Sequence, residues 1–292
     1  MCSASGVWAI IVHGGARTIA SRDRQRHRAG CLTAVEIGAK LLAAGGGALD
    51  AVEAAVRQLE SDPTFNAGHG AALNALGDIE LDASIMDGCN LAIGAVGAVQ
   101  GLAHPISVAR LLLDETPGLL VGDGARQFAE RAGAERSGQP AAKRQYETAS
   151  DTVGCVALDS AGHMAVGLST GGLDGKMPGR VGDTPLPGCG FYVDDDVGGV
   201  ALSGDGDNIA RTLLAAQIMA ELRSKPPQAA AERGLRFLAR VGGEAGAIVL
   251  DRRGGFGCAH NSDHFAVALA SNSMRPRAAV DYDELREIMT HG

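Results

Sequence analysis

The sequence predicts an α+β fold in which two sheets stack and helices cover their outer faces. Three observations predict it. Helical patterns come in adjacent pairs, strand patterns come in runs, and a polar linker divides the two halves. Paired helices argue against a simple parallel α/β sheet, where helix and strand alternate singly. The 42 glycines and the 3% aromatic content mean that the core must be built from Val, Ile, Leu and Ala.

The elements follow in order. Residues 8–12 are a short apolar run that stops at His13-Gly14-Gly15, as a buried strand ending in a glycine turn would. Residues 23–44 are helical in pattern and end at Gly45-Gly46-Gly47; residues 48–60 form a second helix, with Asp50 and Glu53 near its start. A loop at 61–70 carries Pro63, Asn66, Gly68 and Gly70. Strands are expected at 80–86 and 92–100 around an Asp87-Gly88 turn, then helices at 107–114 and 125–132. Residues 133–151 are polar, contain Gly138 and Pro140, and have no periodicity, which marks a linker. Paired strands at 152–158 and 163–169, a glycine-rich stretch at 171–190 and a short strand at 199–203 follow. Helices at 209–222 and 227–241 and strands at 245–250, 256–260 and 265–270 complete the chain.

Charge and cysteine usage exclude several function classes. The net charge of -8 argues against nucleic acid or an anionic membrane as partner, since either favours a basic face. Arg22, Arg24, Arg26 and Arg28 form the densest basic run and fit a solvated helix start. The six cysteines are dispersed, without a C-x-x-C pair, so neither a zinc or redox motif nor a disulfide framework is expected. The apolar run near the N-terminus is too short for a signal core, and no stretch suits a membrane span, so a cytoplasmic location is expected.

Familiar catalytic motifs are missing. Neither a P-loop nor G-x-G-x-x-G occurs, and Asp205 and Asp207 would place negative charge beside a phosphate at the helix that follows Gly204-Asp205-Gly206. There is no G-x-S-x-G and no H-E-x-x-H, so the eight histidines read as structural or surface groups. A threonine hydroxyl can still act as nucleophile if its own α-amine is free to serve as base. That requires cleavage of the preceding peptide bond, between a flexible segment and a rigid strand. Asp151-Thr152-Val153-Gly154 meets this description. Taken alone, the pattern also fits an ordinary strand threonine.

Several blocks together carry a resemblance. VHGGA at 12–16, FNAGHGAALNALGDIELDASIMDG at 65–88, DTVGCVALD at 151–159, STGG at 169–172, PGRVGDTPLPGCGFY at 178–192 and SGDGD at 203–207 run in order over most of the chain. In these blocks the chain resembles the isoaspartyl peptidase and plant-type asparaginase family of N-terminal nucleophile hydrolases. The resemblance implies a four-layer αββα sandwich and self-cleavage into segments 1–151 and 152–292, two chains of one domain. It implies hydrolysis of the side-chain amide of L-asparagine and of β-aspartyl dipeptides, releasing L-aspartate, and a dimer of such αβ pairs.

Site residues follow from the same blocks. Thr152 matches the nucleophile exposed by cleavage after Asp151, with its own amine as base. Thr170 matches a second threonine that contacts it, and Asn66 a residue that orients its amine. Arg180 matches the holder of the substrate α-carboxylate and Asp183 that of its α-amine, while the backbone of Gly206 contacts that amine. Ser203 and Gly204 match the oxyanion hole. These residue types suit an amino-acid head group: a guanidinium fork for a carboxylate and a carboxylate for an ammonium. Without the surrounding blocks, Arg180 and Asp183 also fit a surface salt bridge.

Two departures from the family pattern stand out. Ser203 replaces the usual threonine and lacks the γ-methyl that restricts χ1. Asp194-Asp195-Asp196 resembles the related glycosylasparaginases, which cleave glycosylated asparagine; those relatives have asparagine where Gly171 stands. That activity is therefore the alternative, and an uncleaved amino-acid-binding or scaffold protein is a second. No cofactor is expected. The loop 59–69, which begins at Leu59 and ends at His69, matches one that binds a structural sodium ion through backbone carbonyls.

Overall fold

The apolar residues of the chain alternate along the strands and recur on one face of each long helix, and four buried clusters result among the described residues. A computed structural model describes residues 6–116, 118–137 and 151–290. The elements are β1 (Ala9–Arg17), α1 (Arg24–Ala43), α2 (Ala48–Ser61), β2 (Leu81–Asp87), β3 (Ile93–Val99), α3 (Pro105–Leu111), β4 (Leu119–Val121), α4 (Gly122–Arg131), β5 (Val153–Leu158) and β6 (Met164–Thr170). They continue with β7 (Phe191–Asp194), β8 (Gly198–Gly204), α5 (Gly206–Thr212), α6 (Leu214–Leu222), α7 (Pro227–Leu235), β9 (Ala245–Asp251), β10 (Phe256–His260), β11 (His264–Ser271), β12 (Met274–Ala279) and α8 (Tyr282–Thr290). The fold is a mixed α/β arrangement with an eight-stranded sheet, β12-β11-β1-β5-β6-β2-β3-β4, and a four-stranded sheet, β10-β9-β8-β7.

Successive side chains of a strand face opposite ways, so each central strand serves two clusters. Ile10 and Val12 of β1 pack with Val35 of α1 and Val52 and Val56 of α2, while Ile11 between them packs with Val156, Phe191 and Ile248, which come from both sheets. On the other face of the smaller sheet, Val200, Leu202 and Val249 meet Leu214 and Ile218 of α6 and Ala230 of α7. Burying each Val, Leu or Ile contributes about 1.5–3 kcal/mol, so these clusters dominate the stability.

The structure corrects several expected boundaries. Strand β1 does not stop at His13; it runs on to Arg17, with a register shift between His13 and Ala16 that absorbs the glycines. The helix expected over 209–222 breaks at Leu213, which has φ +50°, and restarts as α6. The N–H groups of Ala215 and Ala216 there donate to the carbonyls of Cys189 and Gly188, which satisfies donors at the restart. The helix expected over 227–241 passes into a tighter 3₁₀ turn at Arg236–Arg240. Strands β4, β7 and β12 and helix α8 were not predicted: β4 and β7 span only three and four residues, and β12 carries Arg275 and Arg277 on its exposed side. Arg24 and Arg28 are not simply solvated, because they pair with Asp281 and Glu284 near the start of α8. Most of the predicted linker 133–151 lies outside the described residues.

Pairing places the predicted site. Residue Thr152 precedes β5, which lies between β1 and β6, with Gly154 opposite His13 and Val153 opposite Ser169. The end of β8, at Ser203-Gly204, approaches the same point from the smaller sheet: Ser203 Oγ accepts from Ala16 of β1 and from Thr152.

Candidate active site

The site begins with a peptide carbonyl that two side chains hold. Asn66 lies in the loop after α2 and Thr170 at the end of β6. Asn66 Nδ2 donates to the Asp151 carbonyl oxygen at 3.0 Å and to the Gly172 carbonyl at 2.7 Å, while its Oδ1 accepts from Ala72 N–H at 2.8 Å. All polar atoms of its side chain are thus engaged, which fixes the amide's orientation. Thr170 Oγ1 donates to the same Asp151 oxygen at 2.6 Å and accepts from Gly172 N–H at 2.9 Å. Asp151 and Thr152 are both buried. The Asp151 carboxylate faces Arg17, with Arg17 Nε 3.2 Å from its Oδ2.

Ser203 is fully buried, and its Oγ accepts from Thr152 N–H at 3.2 Å and Ala16 N–H at 3.1 Å. Gly204 follows with φ +142°, and a methyl there would lie 2.2 Å from the Glu244 carbonyl oxygen. Only glycine fits, both sterically and conformationally. His13, paired with Gly154 in the sheet, is fully buried; burial outweighs the opposing influence of the nearby Thr152 backbone and holds its pKa at about 3, so the imidazole is neutral.

Arg180 and Asp183 lie in the same cleft, which Asp151, Thr152, Thr170, Gly172, Gly204 and Gly206 also line. Arg180 Nη2 donates to Asp207 Oδ1 at 2.8 Å and not to Asp183. The Asp183 side chain is buried, which raises its pKa to about 7 against the opposing pull of the Arg180 cation. Asp183 Oδ2 and Arg180 Nε accept or donate no hydrogen bond among the described residues. Buried polar atoms are ordinarily paired, so both are open to a ligand. A methyl at Gly206 would approach Asp183 Oδ1 to 2.5 Å, so that glycine backbone stands beside the carboxylate. The space left free inside the cleft is about 10 Å³, one water molecule's worth.

The predicted residues Asp151, Thr152, Thr170, Arg180, Asp183, Gly204 and Gly206 line one cleft, and Asn66 and Ser203 stand behind it, hydrogen-bonded to the Asp151 carbonyl and the Thr152 N–H. Sequence reasoning missed a buried layer beneath Arg180. Lys176 Nζ donates to the Glu80 carbonyl at 3.0 Å, and the Glu80 carboxylate accepts from Gly179 N–H at 3.1 and 3.0 Å. Asp82 Oδ1 accepts from Ala98 N–H at 2.7 Å. Burial raises the pKa of Asp82, and the Lys176 and Arg180 cations oppose that rise. Together these contacts hold the turn that presents Arg180. Arg17, His13, Glu80 and Asp82 all sit inside or beside the quoted blocks, so the blocks were a signal, but nothing in their spacing distinguishes them from neighbours. Asp194-Asp195-Asp196 does not reach the site: Asp194 pairs with Gly198, at the end of β8 opposite Ser203. Among the described residues, no helix is long and apolar enough to cross a membrane.

The family model described as asparaginase matches residues 6–147 and 133–280. The chain is 40% identical to an isoaspartyl peptidase/L-asparaginase of Xenopus laevis, over 97% of this chain and 95% of that protein. Proteins of the same name from Bos taurus and Homo sapiens are each 41% identical, over 93% and 84% of this chain and 93% and 87% of their own lengths. With that match and these identities, the chain belongs to the asparaginase family.

Proposed function

We propose that the protein is a self-processing threonine amidohydrolase. It cleaves the side-chain amide of L-asparagine and the β-aspartyl bond of isoaspartyl dipeptides, and it releases L-aspartate. Its relatives carry the name isoaspartyl peptidase/L-asparaginase over most of their length, which supports this substrate class. The single observation that carries the chemistry is the clasp of Asn66 and Thr170 on the Asp151 carbonyl, in the cleft that holds Arg180 and Asp183.

In the first stage, Thr152 Oγ attacks the Asp151 carbonyl carbon. The C–N bond breaks and the hydroxyl proton passes to the leaving nitrogen. Asn66 Nδ2 and Thr170 Oγ1 stabilise the charge that develops on the carbonyl oxygen, as donors aimed at an oxyanion do. Water then hydrolyses the ester, which leaves Asp151 with a carboxylate and Thr152 with a free hydroxyl and amine. Segments 1–151 and 152–292 remain together as one domain. In the second stage, the Thr152 amine takes the hydroxyl proton and Oγ attacks the substrate's side-chain carbonyl. The Ser203 hydroxyl and Gly204 N–H receive the oxyanion, Arg180 holds the α-carboxylate, and Asp183 with the Gly206 backbone holds the α-ammonium. The leaving amine departs with the proton, and water releases L-aspartate from the acyl-enzyme. Positioning of this kind removes a large entropic share of the barrier.

The same reading takes the two sheets and their helical covers as the αββα sandwich of N-terminal nucleophile hydrolases; the packing of β1 residues into two clusters supports it. It includes a dimer of αβ pairs, a cytoplasmic location supported by free thiols at Cys31, Cys155 and Cys258, and no required cofactor. A sodium ion on backbone carbonyls of the 59–69 loop also belongs to it. Gly68, at φ +49°, folds that loop tightly against the Glu60 carbonyl, and a carbonyl keeps a second lone pair when it accepts one N–H.

Cleavage of glycosylated asparagine competes with this reading. Gly171 weighs against it, because a side chain there would begin 2.6 Å from Ala72 N and Asn66 Oδ1. The test is direct. Aged protein should resolve into fragments that meet at the Asp151–Thr152 bond and should hydrolyse asparagine and β-Asp-Leu faster than GlcNAc-Asn. A Thr152→Ala protein that still cleaved itself or still turned over β-Asp-Leu would sink the reading; a persistent full-length mass with aspartate binding would favour the uncleaved binding protein.

A further inference from the structure

Three hairpin turns from different parts of the chain meet at the end of the two sheets remote from Thr152. One follows β2 and carries Cys89, one joins β5 to β6 and carries His163, and one joins β7 to β8 and carries Asp195. The six residues of β5 separate this place from Thr152, about 20 Å at ~3.3 Å per residue. The side-chain ligand atoms of Cys89, His163 and Asp195 all lie within 4.8 Å of one another, and His163 Nδ1 is 3.2 Å from Asp195 Oδ2. Around a tetrahedral zinc ion with bonds of about 2.0–2.3 Å, neighbouring ligand atoms stand about 3.5 Å apart. Small rotations of two exposed side chains therefore close the set.

The backbone holds these turns in register. Gly88 N–H donates to the Met164 carbonyl at 2.9 Å, and Asp195 N–H donates to the Gly88 carbonyl at 3.1 Å. Asp195 Oδ1 accepts from Met164 N–H at 2.8 Å, which leaves Oδ2 turned toward His163. Cys89 N–H donates to Asp87 Oδ1 at 2.9 Å, which fixes the turn that presents the thiol. A methyl at Gly88 would lie 2.4 Å from Asp195 Oδ1, so the first and third turns are in direct contact. The ligands are thus preorganised by groups that are not themselves ligands, which lowers the ordering cost of binding. A sequence search for close cysteine spacing cannot find such a set, because its members are 74 and 32 residues apart in the chain.

We propose that Cys89, His163 and Asp195 form a site for a divalent cation of the zinc class. The donor set decides the class. A thiolate and an imidazole suit zinc or cobalt and disfavour calcium and magnesium, which take oxygen ligands. One protein-free position remains for water. Bound there, the ion joins a turn of the smaller sheet to two turns of the larger one, and it acts on stability rather than on the cleft.

Cobalt(II) reports this site directly, because thiolate coordination gives a near-ultraviolet charge-transfer band. Chelator-treated full-length protein carrying Cys2→Ser, which leaves only the buried Cys31, Cys155, Cys189 and Cys258 as thiols besides Cys89, is titrated with cobalt and then with zinc. One cobalt ion per chain should bind with a thiolate band, zinc should displace it, and zinc should raise the melting temperature. Cys89→Ser should lose the band, and both His163→Asn and Asp195→Asn should weaken binding and lose the zinc-dependent melting shift. Cys89 and His163 are exposed, so their variants should keep the unliganded melting temperature and β-aspartyl hydrolysis of the parent. Absence of a thiolate band in the parent overturns the proposal. So does a band or a zinc shift that survives in Cys89→Ser or is unchanged in His163→Asn.

Discussion

The side-chain amide of Asn66 donates to the carbonyl oxygen of Asp151 across 3.0 Å, and Thr170 Oγ1 reaches the same oxygen at 2.6 Å. Removing one donor from an oxyanion typically costs about 10²–10³-fold in rate. Asn66→Ala is therefore expected to accumulate full-length protein, with self-cleavage slowed by about that factor. Thr170→Ser keeps the hydroxyl and should cleave at close to the parental rate. Band intensities on a denaturing time course decide it, and unslowed cleavage of Asn66→Ala counts against the clasp.

Ser203 Oγ is the acceptor for two buried backbone N–H groups, those of Ala16 and Thr152. Ser203→Ala leaves both without it, and an unpaired buried donor costs about 1–3 kcal/mol. Urea unfolding of the variant should show a loss of at least that size, and β-Asp-Leu hydrolysis should fall as well. A variant as stable as the parent would show that water replaces the hydroxyl without cost.

Asp183 should impose a pH dependence on substrate binding. Burial raises its pKa to about 7 in the folded protein, against an ordinary value of 3.8. Below pH 7 the carboxyl is increasingly protonated and loses its attraction for an ammonium, so KM should rise as pH falls through 7 while kcat changes less. The same shift means that the native state binds this proton more tightly than the unfolded chain, so its contribution to stability declines as pH rises from 3.8 to 7. Asp183→Asn should therefore be more stable than the parent above pH 7 and yet bind aspartate poorly. Isothermal titration and denaturant melts at pH 6 and 8 test the two halves separately.

A side chain at Gly171 has no room. Its Cβ would meet Ala72 N and Asn66 Oδ1 at 2.6 Å and Ala71 Cβ at 2.7 Å, so Gly171→Asn must displace the Asn66 loop. Overpacking of this sort costs about 1–3 kcal/mol. Slower self-cleavage should accompany the lost stability, because Asn66 also holds Asp151. Normal processing by this variant would mean that the loop yields freely.

Buried His27 contributes a slope at acid pH. Burial first, and the Arg17 cation second, hold its pKa at about 3, below the ordinary 6.5. The unfolded chain takes up that proton between pH 6.5 and 3 and the native state does not, so stability falls across this window as pH falls. His27→Gln removes the term, and its unfolding free energy should drop less than the parent's between pH 7.5 and 4.5. Equal drops in guanidinium melts would assign the acid sensitivity elsewhere, beginning with His13, whose pKa is lowered in the same way.

Much of the site was legible in the sequence because its residues sit at fixed offsets inside recognisable blocks. Thr152 after a polar stretch and before an apolar strand made cleavage possible, and the resemblance carried by the blocks gave Thr152, Arg180 and Asp183 their expected roles. The paired helices and runs of strands likewise pointed to two stacked sheets. What stayed hidden depends on long-range contact. Arg17 reads as one more arginine until β1 carries it through His13-Gly14-Gly15 to face Asp151. Lys176 and Asp82 are 94 residues apart and meet only because the 171–182 stretch folds back over β2. Leu213 carries no helix-breaking signal; its left-handed turn follows from carbonyls at Gly188 and Cys189 that claim the next N–H groups.

The nearly filled cleft has a consequence in time. With Asp151 in place, only about 10 Å³ is free beside Arg180 and Asp183. On the proposed chemistry, a newly translated molecule is therefore silent toward free amino acids, and it becomes competent through a single irreversible event of its own. The specific activity of a preparation then records its age as well as its purity. A cell that holds the protein carries a reserve whose output lags behind synthesis by the half-life of one peptide bond.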